Sequence, residues 1–400
     1  MKKNDKVIAK CIDYTYDGMG IVKVDGFCLF VKNLLLDEEA EIVVTKLQKD
    51  YGYGKVLKLL KTSNERVTPK CSLFPQCGGC QLQHMSYQEQ LNFKKDLVKN
   101  NMQSIAKMDI EVLDTLPASQ ILAYRNKAQF PVKINEAQVA MGFYRLHSND
   151  IIDMTTCMIQ SNLINEIMYF IKKQFAFYKV KDVFRHLLIK HAFHTNEAMV
   201  VFIAKEENIE YLDRIVERLT KQFSQIKSVI LNINTRNDNV ILGEKEITLY
   251  GEACIYDTLA DLKFSISSKS FYQVNPIQTE VLYNSALELA NINENDHVID
   301  LYCGVGTISL FLAKKAKKKG KKIVYHAHST EEDFKDGFIF CRQISPLFKK
   351  WLIKCYSLGD VIVTPTPYSK RLLEGYKGLE NKKIYAISNG IEIEFFKKDK

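Results

Sequence analysis

Short runs of alternating apolar and polar positions fill the first part of the chain, residues 1–62. Runs such as VIAKCIDYT and IVKVDGFCLFV are rich in β-branched and aromatic residues, and turn signals such as YDGMG separate them. This pattern predicts a small, OB-like barrel of about five strands. Its interleaved Lys, Tyr and Phe residues predict either an oligonucleotide-binding face or an ordinary solvated basic face. Four glycines are typical of turns rather than of a phosphate loop, because no helical pattern follows them: Gly18, Gly20, Gly52 and Gly54.

The middle of the chain mixes helical and strand patterns over residues 63–274. The segments YQEQLNFKKDLVKNNM and LINEIMYFIKKQFAFY have the apolar spacing of helices, whereas KAQFPVKI and EAMVVFIA are typical of strands. We therefore expect a central α+β domain here.

A third pattern occupies residues 275–316. A helical segment precedes the buried-type strand HVIDLY, the Gly-rich turn CGVGT and a second helical run, which is the order that opens a nucleotide-binding α/β domain. Ser309 stands where a dinucleotide fingerprint has its third glycine, which disfavours NAD. S-adenosylmethionine carries no pyrophosphate, so a turn that binds it needs fewer glycines. An ordinary strand-to-helix turn is the alternative.

The chain changes character after a lysine-rich run, in which seven of the nine residues 314–322 are lysine. Strand-like IVYHAH and DVIVTP alternate with the helical LFKKWLIKCY, which predicts an α/β fragment over residues 317–400. The whole is thus a multidomain α/β protein.

Charge and composition narrow the class of protein. The formal net charge of +9, from 56 Lys+Arg against 47 Asp+Glu, favours a polyanionic partner. No run reaches the roughly 18 consecutive apolar residues of a membrane span, and the N-terminus has no signal-peptide pattern. We therefore expect a cytoplasmic protein without a membrane span and without an obligate protein partner. In that reducing compartment ten cysteines are not expected to form a disulfide framework.

Three of these cysteines are spaced as ligands. Cys71, Cys77 and Cys80 lie within C-S-L-F-P-Q-C-G-G-C, where two glycines allow a tight fold around one ion or cluster. Cys157, in the polar MTTCMIQ, is the expected fourth ligand, since Cys11, Cys28 and Cys254 lie in strand-like apolar runs as core residues would. Such thiolates suit zinc or a 4Fe-4S cluster, and spacing alone does not decide between them.

Five motifs together resemble the S-adenosylmethionine-dependent RNA uracil-C5 methyltransferases, over residues 1–316. The closest resemblance is to the bacterial 23S rRNA enzymes with an N-terminal TRAM barrel. The motifs are C-x5-C-G-G-C-Q-L-Q-H (71–84), Y-R-N-K-A-Q-F (124–130), the isolated Cys157, F-Y-Q-V-N (271–275) and D-L-Y-C-G-V-G-T (300–307).

The resemblance implies specific cofactors and a partner. It implies a 4Fe-4S cluster on Cys71, Cys77, Cys80 and Cys157, contacts to S-adenosylmethionine from Gln273 and Tyr302, and 23S rRNA as the RNA partner. The fold implied is a TRAM barrel, a central α+β domain with the iron-sulfur site, and an incomplete Rossmann-like methyltransferase domain.

The resemblance also shows what this sequence lacks. In such enzymes a cysteine thiolate adds to uracil C6, the resulting enolate takes the methyl group, and a base then removes the C5 proton. Their nucleophile follows an acidic residue for the cofactor ribose and a D-P-P-R motif, none of which is found here. Cys303, Cys341 and Cys355 stand in other contexts, so we assign no catalytic residue and expect this chain to be inactive in methyl transfer.

The tail resembles a different family. Y-H-A-H-S-T-E-E-D-F (325–334), D-V-I-V-T-P-T-P-Y-S-K-R-L-L (360–373) and I-S-N-G-I-E (388–393) are similar to the middle of a GT-B glycosyltransferase of family 4. We therefore expect a chimeric chain joined at the lysine-rich run 314–322, by recombination or by an error of sequence assembly. Two alternatives to an inactive methyltransferase follow: a non-catalytic, RNA-binding and cluster-bearing remnant, or a glycosyltransferase fragment without its donor domain.

Overall fold

The computed structural model separates the chain into two compact units. The first comprises Met1–Ala123 with Gln129–Arg185, and the second comprises Tyr124–Ala128 with His186–Lys400. The four-part division at residues 62, 274 and 316 stays a prediction. The structure describes residues 1–136, 138–260, 262–291, 307–308, 310–311, 324–326, 349–350, 352–354, 356–357, 359–364 and 366–386.

The first unit begins with a closed five-stranded barrel in the order β1-β2-β3-β5-β4, which confirms the predicted small barrel. Strands β3 and β5 pair in parallel and the other neighbours are antiparallel. Cys11 lies in the barrel core as predicted, whereas Cys28 is on the half-exposed outer face of its strand. The strands are β1 (Lys6–Tyr14), β2 (Gly20–Val24), β3 (Phe27–Lys32), β4 (Glu39–Leu47) and β5 (Tyr51–Lys61).

The barrel interior follows from the alternation of its strands, since every second side chain points inward. The inward positions exclude solvent and pack tightly: a Cβ added at Gly54 would lie 2.4 Å from Ile42 Cγ2. The buried cluster is Ala9, Cys11, Val22, Leu29, Val31, Leu34, Ala40, Ile42 and Val44.

Two capped helices and an antiparallel strand group complete the first unit. Helix α1 (Tyr87–Ser104) begins after Ser86, whose side chain accepts a hydrogen bond from Glu89 N, and α2 (Asn162–Phe177) begins after Ser161 in the same way. Strands β6 (Lys127–Ile134), β7 (Val139–Tyr144) and β8 (Ile151–Asp153) pair in that order.

The second unit contains four strands in the order β12-β11-β10-β9. Strands β10 and β11 are parallel, and helix α3 (Leu212–Gln222) connects them as such a crossover requires. A hairpin, β13 with β14, precedes helix α4. The bounds are β9 (Phe184–Ala192), β10 (Glu197–Ala204), β11 (Ile226–Ile233), β12 (Lys245–Gly251), β13 (Cys254–Leu259), β14 (Leu262–Ser267) and α4 (Pro276–Leu289).

The described part of the tail forms a small parallel sheet, β15-β16-β17, with helix α5 beside it. The elements are β15 (Val324–His326), β16 (Val361–Thr364), α5 (Pro367–Glu374) and β17 (Lys383–Ala386). Tail side chains share one buried cluster with side chains of β9 to β11 and β13: Leu310, Phe311, Leu352, Tyr356, Ile362, Leu373, Tyr376, Leu379 and Ile384. In the part of the chain that the structure describes, no helix has the length and apolarity to cross a membrane.

Candidate functional site

The three close cysteines lie in a compact loop of the first unit. Cys77 N donates to Leu73 O at 3.0 Å, and Gly78 N donates to Tyr144 O, also at 3.0 Å, at the end of β7. A Cβ at Gly78 would lie 3.1 Å from that same oxygen, so glycine allows the loop to approach the strand closely. The loop is thus fixed against β7.

Cys157 is held separately, in the turn that precedes α2. Asn165 clamps it from both sides: Cys157 N donates to Asn165 Oδ1 at 2.8 Å, and Asn165 Nδ2 donates to Cys157 O at 3.0 Å. The fourth predicted ligand therefore has a fixed backbone.

The electrostatics place the four thiols in one neighbourhood of the first unit. The pKa of Cys157 is raised to about 11, mainly by burial and with contributions from the neighbouring Cys80 and Cys77. Burial also raises the pKa of Cys77, with a contribution from Cys71. None of the four is in a disulfide. Four soft donors in one half-buried region fit a thiolate-bound cluster or ion in their chemistry, and a cation there would favour the thiolate forms.

The side chains of the four cysteines do not form a group at coordination distances. Among the described residues, no three His, Cys, Asp or Glu side chains are close enough together to hold a metal ion. The structure therefore brings the predicted ligands into one region without forming a metal site.

His84, the last residue of the cysteine motif, packs beneath this loop. Its ring stacks on Phe74 at 5.5 Å between ring centroids, and its side chain is buried. Burial lowers the pKa of His84 to about 4, so the imidazole is neutral at pH 7. Neither ring nitrogen has a hydrogen-bond partner among the described residues. His84 thus acts as an apolar support.

An open groove of about 590 Å³ borders the cysteine loop. Gly78 and Gly79 form one wall, and the turn after β7, with Tyr144, Arg145 and His147, forms the other. Arg145 Nη1 donates to Gln76 Oε1 at 3.0 Å, which ties this turn to the loop.

Gln273, one of the two predicted cofactor residues, belongs to the second unit. Gln273 lies between β14 and α4, and its carbonyl accepts from Asn126 Nδ2 at 3.0 Å. Tyr302 lies outside the described residues, as do Cys303, Cys341 and Cys355.

Lys190 is a buried cation that the sequence pattern did not single out. It is 4% exposed, and its Nζ donates to Ser267 O at 2.7 Å and Ser270 O at 2.9 Å. Its pKa is lowered to about 7, mainly by burial and also by nearby Lys127, while Glu246 acts in the opposite direction. The available signal was a lysine inside the apolar strand run HLLIKHAF.

The outer face of the barrel carries an aromatic group. Phe30, Tyr51 and Tyr53 contact one another with ring centroids 5.2–5.9 Å apart. Four exposed lysines lie on the same outer face in neighbouring register positions: Lys23, Lys32, Lys46 and Lys55. This combination can stack bases and attract phosphates.

Comparison with known protein families identifies two relationships. The family model described as tRNA (Uracil-5-)-methyltransferase matches residues 86–322. The model described as Glycosyltransferase Family 4 matches residues 290–395, which agrees with the resemblance found in the tail. The two matches overlap at residues 290–322, a range that contains the lysine-rich run.

Curated relatives are bacterial proteins described as uncharacterized RNA methyltransferases. One from Oceanobacillus iheyensis is 44% identical over 328 residues, which is 80% of this chain and 71% of the relative. One from Staphylococcus aureus is 42% identical over 405 aligned residues, with 96% of this chain and 89% of the relative covered.

A solved structure shares the fold. The crystal structure of the Pyrococcus abyssi tRNA (uracil-54, C5)-methyltransferase in complex with S-adenosyl-L-homocysteine matches with a TM-score of 0.60 at 21% identity. The match covers 94% of this chain and 89% of that one. By the family model and by these relatives, the chain belongs to the uracil-5 family of RNA methyltransferases.

Proposed function

We propose that this chain is an RNA-binding, cluster-bearing member of the family, whose ancestral chemistry is S-adenosylmethionine-dependent methylation of uracil C5 in 23S rRNA. The observation that carries the proposal is the gathering of Cys71, Cys77, Cys80 and Cys157 in one half-buried region. In a protein expected in a reducing compartment, such a thiol group is better explained by a bound cluster than by disulfides.

The proposed cluster is 4Fe-4S, held by these four cysteines. A hydrogen bond to β7 holds the backbone of the cysteine loop, and Asn165 holds the backbone of the Cys157 turn, which supports fixed positions for the two ligand-bearing segments. Its proposed role is structural: it would join the loop to the turn before α2.

Replacing Cys157 with serine is expected to remove most of the iron, because a hydroxyl is a poor ligand for a cluster of this kind. After anaerobic purification, the unchanged chain should contain about four iron and four sulfide per chain. Cys28→Ser, which alters a cysteine on the outer barrel face, is the matched control and should keep its iron. Zinc in place of iron, or equal losses in both variants, would contradict the proposal.

The proposed RNA surface is the aromatic and lysine face of the barrel. Tyr51→Ala is expected to weaken binding of a 23S rRNA fragment by about tenfold, since stacking of a base on an aromatic ring contributes about 1–3 kcal/mol. Fluorescence anisotropy at fixed salt measures this affinity. Tyr250→Ala, which removes a comparably exposed tyrosine (45% against 37%) from the second unit, should leave it unchanged. Equal RNA affinities for the unchanged chain, Tyr51→Ala and Tyr250→Ala would contradict the proposed RNA surface.

The cofactor proposal assigns Gln273 and Tyr302 to S-adenosylmethionine, which supplies the methyl group when bound. We assign no nucleophile, so no methyl transfer by this chain is proposed. Incubation of unmodified 23S rRNA with radiolabelled S-adenosylmethionine tests this directly. Any 5-methyluridine above the level of a protein-free control would show that the chain is an active enzyme.

A further inference from the structure

The segment 267–275, which leads from the end of β14 to α4, is held through its backbone carbonyls by two buried residues, Asn126 and Lys190. Asn126 is 3% exposed; its Nδ2 donates to Gln273 O at 3.0 Å, and its backbone N donates to Val274 O at 2.9 Å. Lys190 Nζ donates to Ser267 O and Ser270 O. Four carbonyls spread along this segment are thus fixed by residues from outside it.

Lys190 and Asn126, which we call the anchors of this segment, are both connected to the same part of strand β9. Lys190 is part of that strand, and the next residue, His191, donates its backbone N–H to Asn126 O at 2.8 Å. Asn126 therefore bridges β9 and the segment. This arrangement explains why the short stretch Tyr124–Ala128 belongs to the second unit while the chain on either side of it belongs to the first.

Asn126 comes from the Y-R-N-K-A-Q-F motif, and Gln273 comes from F-Y-Q-V-N. The bond between them joins positions 147 residues apart in the sequence. The side chains of Asn126 and Lys190 are both buried, so their hydrogen bonds to the segment form in a region of low dielectric. Hydrogen bonds are strong there, and the loss of one partner is costly. The Y-R-N-K-A-Q-F and F-Y-Q-V-N motifs are therefore joined in one hydrogen-bonded structure.

We propose that Asn126 and Lys190 are positioning residues that fix segment 267–275 and thereby orient Gln273 for S-adenosylmethionine. This inference rests on the proposed cofactor role of Gln273. The anchors act on the backbone, so the Gln273 side chain remains available to a ligand. A backbone fixed before binding lowers the entropic cost of ordering the segment around the ligand.

Two measurements on the full chain test the proposal: hydrogen–deuterium exchange of peptides that cover 268–275, and the affinity for S-adenosyl-L-homocysteine by calorimetry. Asn126→Ala and Lys190→Met are each expected to speed exchange in this segment and to weaken binding by about tenfold, or 1.4 kcal/mol. Asn126→Asp keeps the size of the side chain but removes the amide donor, so it should behave like Asn126→Ala.

The matched control is Asn234→Ala. Asn234 is 1% exposed and donates to Val240 O and Ile241 O, both at 2.8 Å, so it makes the same kind of clamp on another loop of the second unit. Its loss should destabilise the unit without changing exchange at 268–275 or ligand affinity.

The outcomes separate the two proposals. If the unchanged chain binds no S-adenosyl-L-homocysteine, the cofactor role fails, and exchange alone decides whether the anchors hold the segment. Unchanged exchange in Asn126→Ala and Lys190→Met would overturn the anchoring. Faster exchange with unaltered affinity would overturn the positioning of Gln273. If Asn234→Ala changed exchange at 268–275 and ligand affinity as much as the other variants do, Asn126 and Lys190 would contribute only to the general stability of the unit.

Discussion

Arg66→Met is expected to lower the unfolding free energy of the barrel by about 3–5 kcal/mol, because it leaves a buried carboxylate without its cation. Glu38 is fully buried, and Arg66 binds both of its oxygens, with Nε to Oε1 at 2.5 Å and Nη2 to Oε2 at 2.6 Å. Burial alone would raise the pKa of Glu38, yet Arg66 and the backbone N–H groups of Leu35 and Ser63 hold it below its usual value.

The matched control for this change is Lys10→Met. Lys10 forms an ion pair with Asp37 at 2.7 Å on the same barrel, but both side chains are more than half exposed, so water screens the pair and its loss should change the unfolding free energy little. Urea unfolding, monitored by hydrogen exchange of peptides from β1 to β5, measures the unfolding free energy of the barrel separately from that of the second unit. Equal losses for the two variants would mean that Glu38 does not depend on Arg66.

Lys190 is expected to make the second unit more stable as the pH rises from 7 towards 10. Its pKa in the folded chain is about 7 against an ordinary value of 10.5, so in this window the unfolded chain binds more protons than the folded chain. Stability then increases with pH, by about 3 kcal/mol between pH 7 and 9.5 if Lys190 acts alone. Below pH 7 both states carry the charge and this dependence ends.

Urea unfolding of the unchanged chain and of Lys190→Met, at several pH values, isolates this contribution as a difference. The difference between the two proteins should change with pH, because methionine carries no titratable group; Lys127 and Glu246, the charged neighbours, are present in both. Lys227→Met is the control, since exposed Lys227 donates to Ser224 O at the surface. A pH-independent difference for Lys190→Met would refute the expectation.

The barrel was predictable from sequence because its side chains alternate with a period of two, and burial of one face repeats that period directly. The central strands were harder to interpret. In β9, buried positions follow one another from Leu187 to Lys190, so the apolar run does not reveal that a cation lies among them. Only the geometry of Ser267 and Ser270, 77 and 80 residues away, shows how this lysine is accommodated.

The candidate site was predictable in its parts but not in its connections. Cysteine spacing identified the loop, since three thiols within ten residues are unusual in a reducing compartment. The clamp of Asn165 on Cys157 and the bond from Asn126 to Gln273 depend on how distant segments meet. One sequence alone gives no pattern from which such contacts between distant segments can be predicted.

The buried cluster that the tail shares with strands β9 to β11 packs the two regions matched by different family models into one interior. Leu352, Ile362 and Tyr376 come from the glycosyltransferase-like region, yet they pack in the same cluster as Leu188 and Met199. A stop codon near the lysine-rich run would remove part of the interior on which β9 to β11 pack. The buried side chains of the tail therefore serve this chain as part of the interior on which β9 and β10 pack.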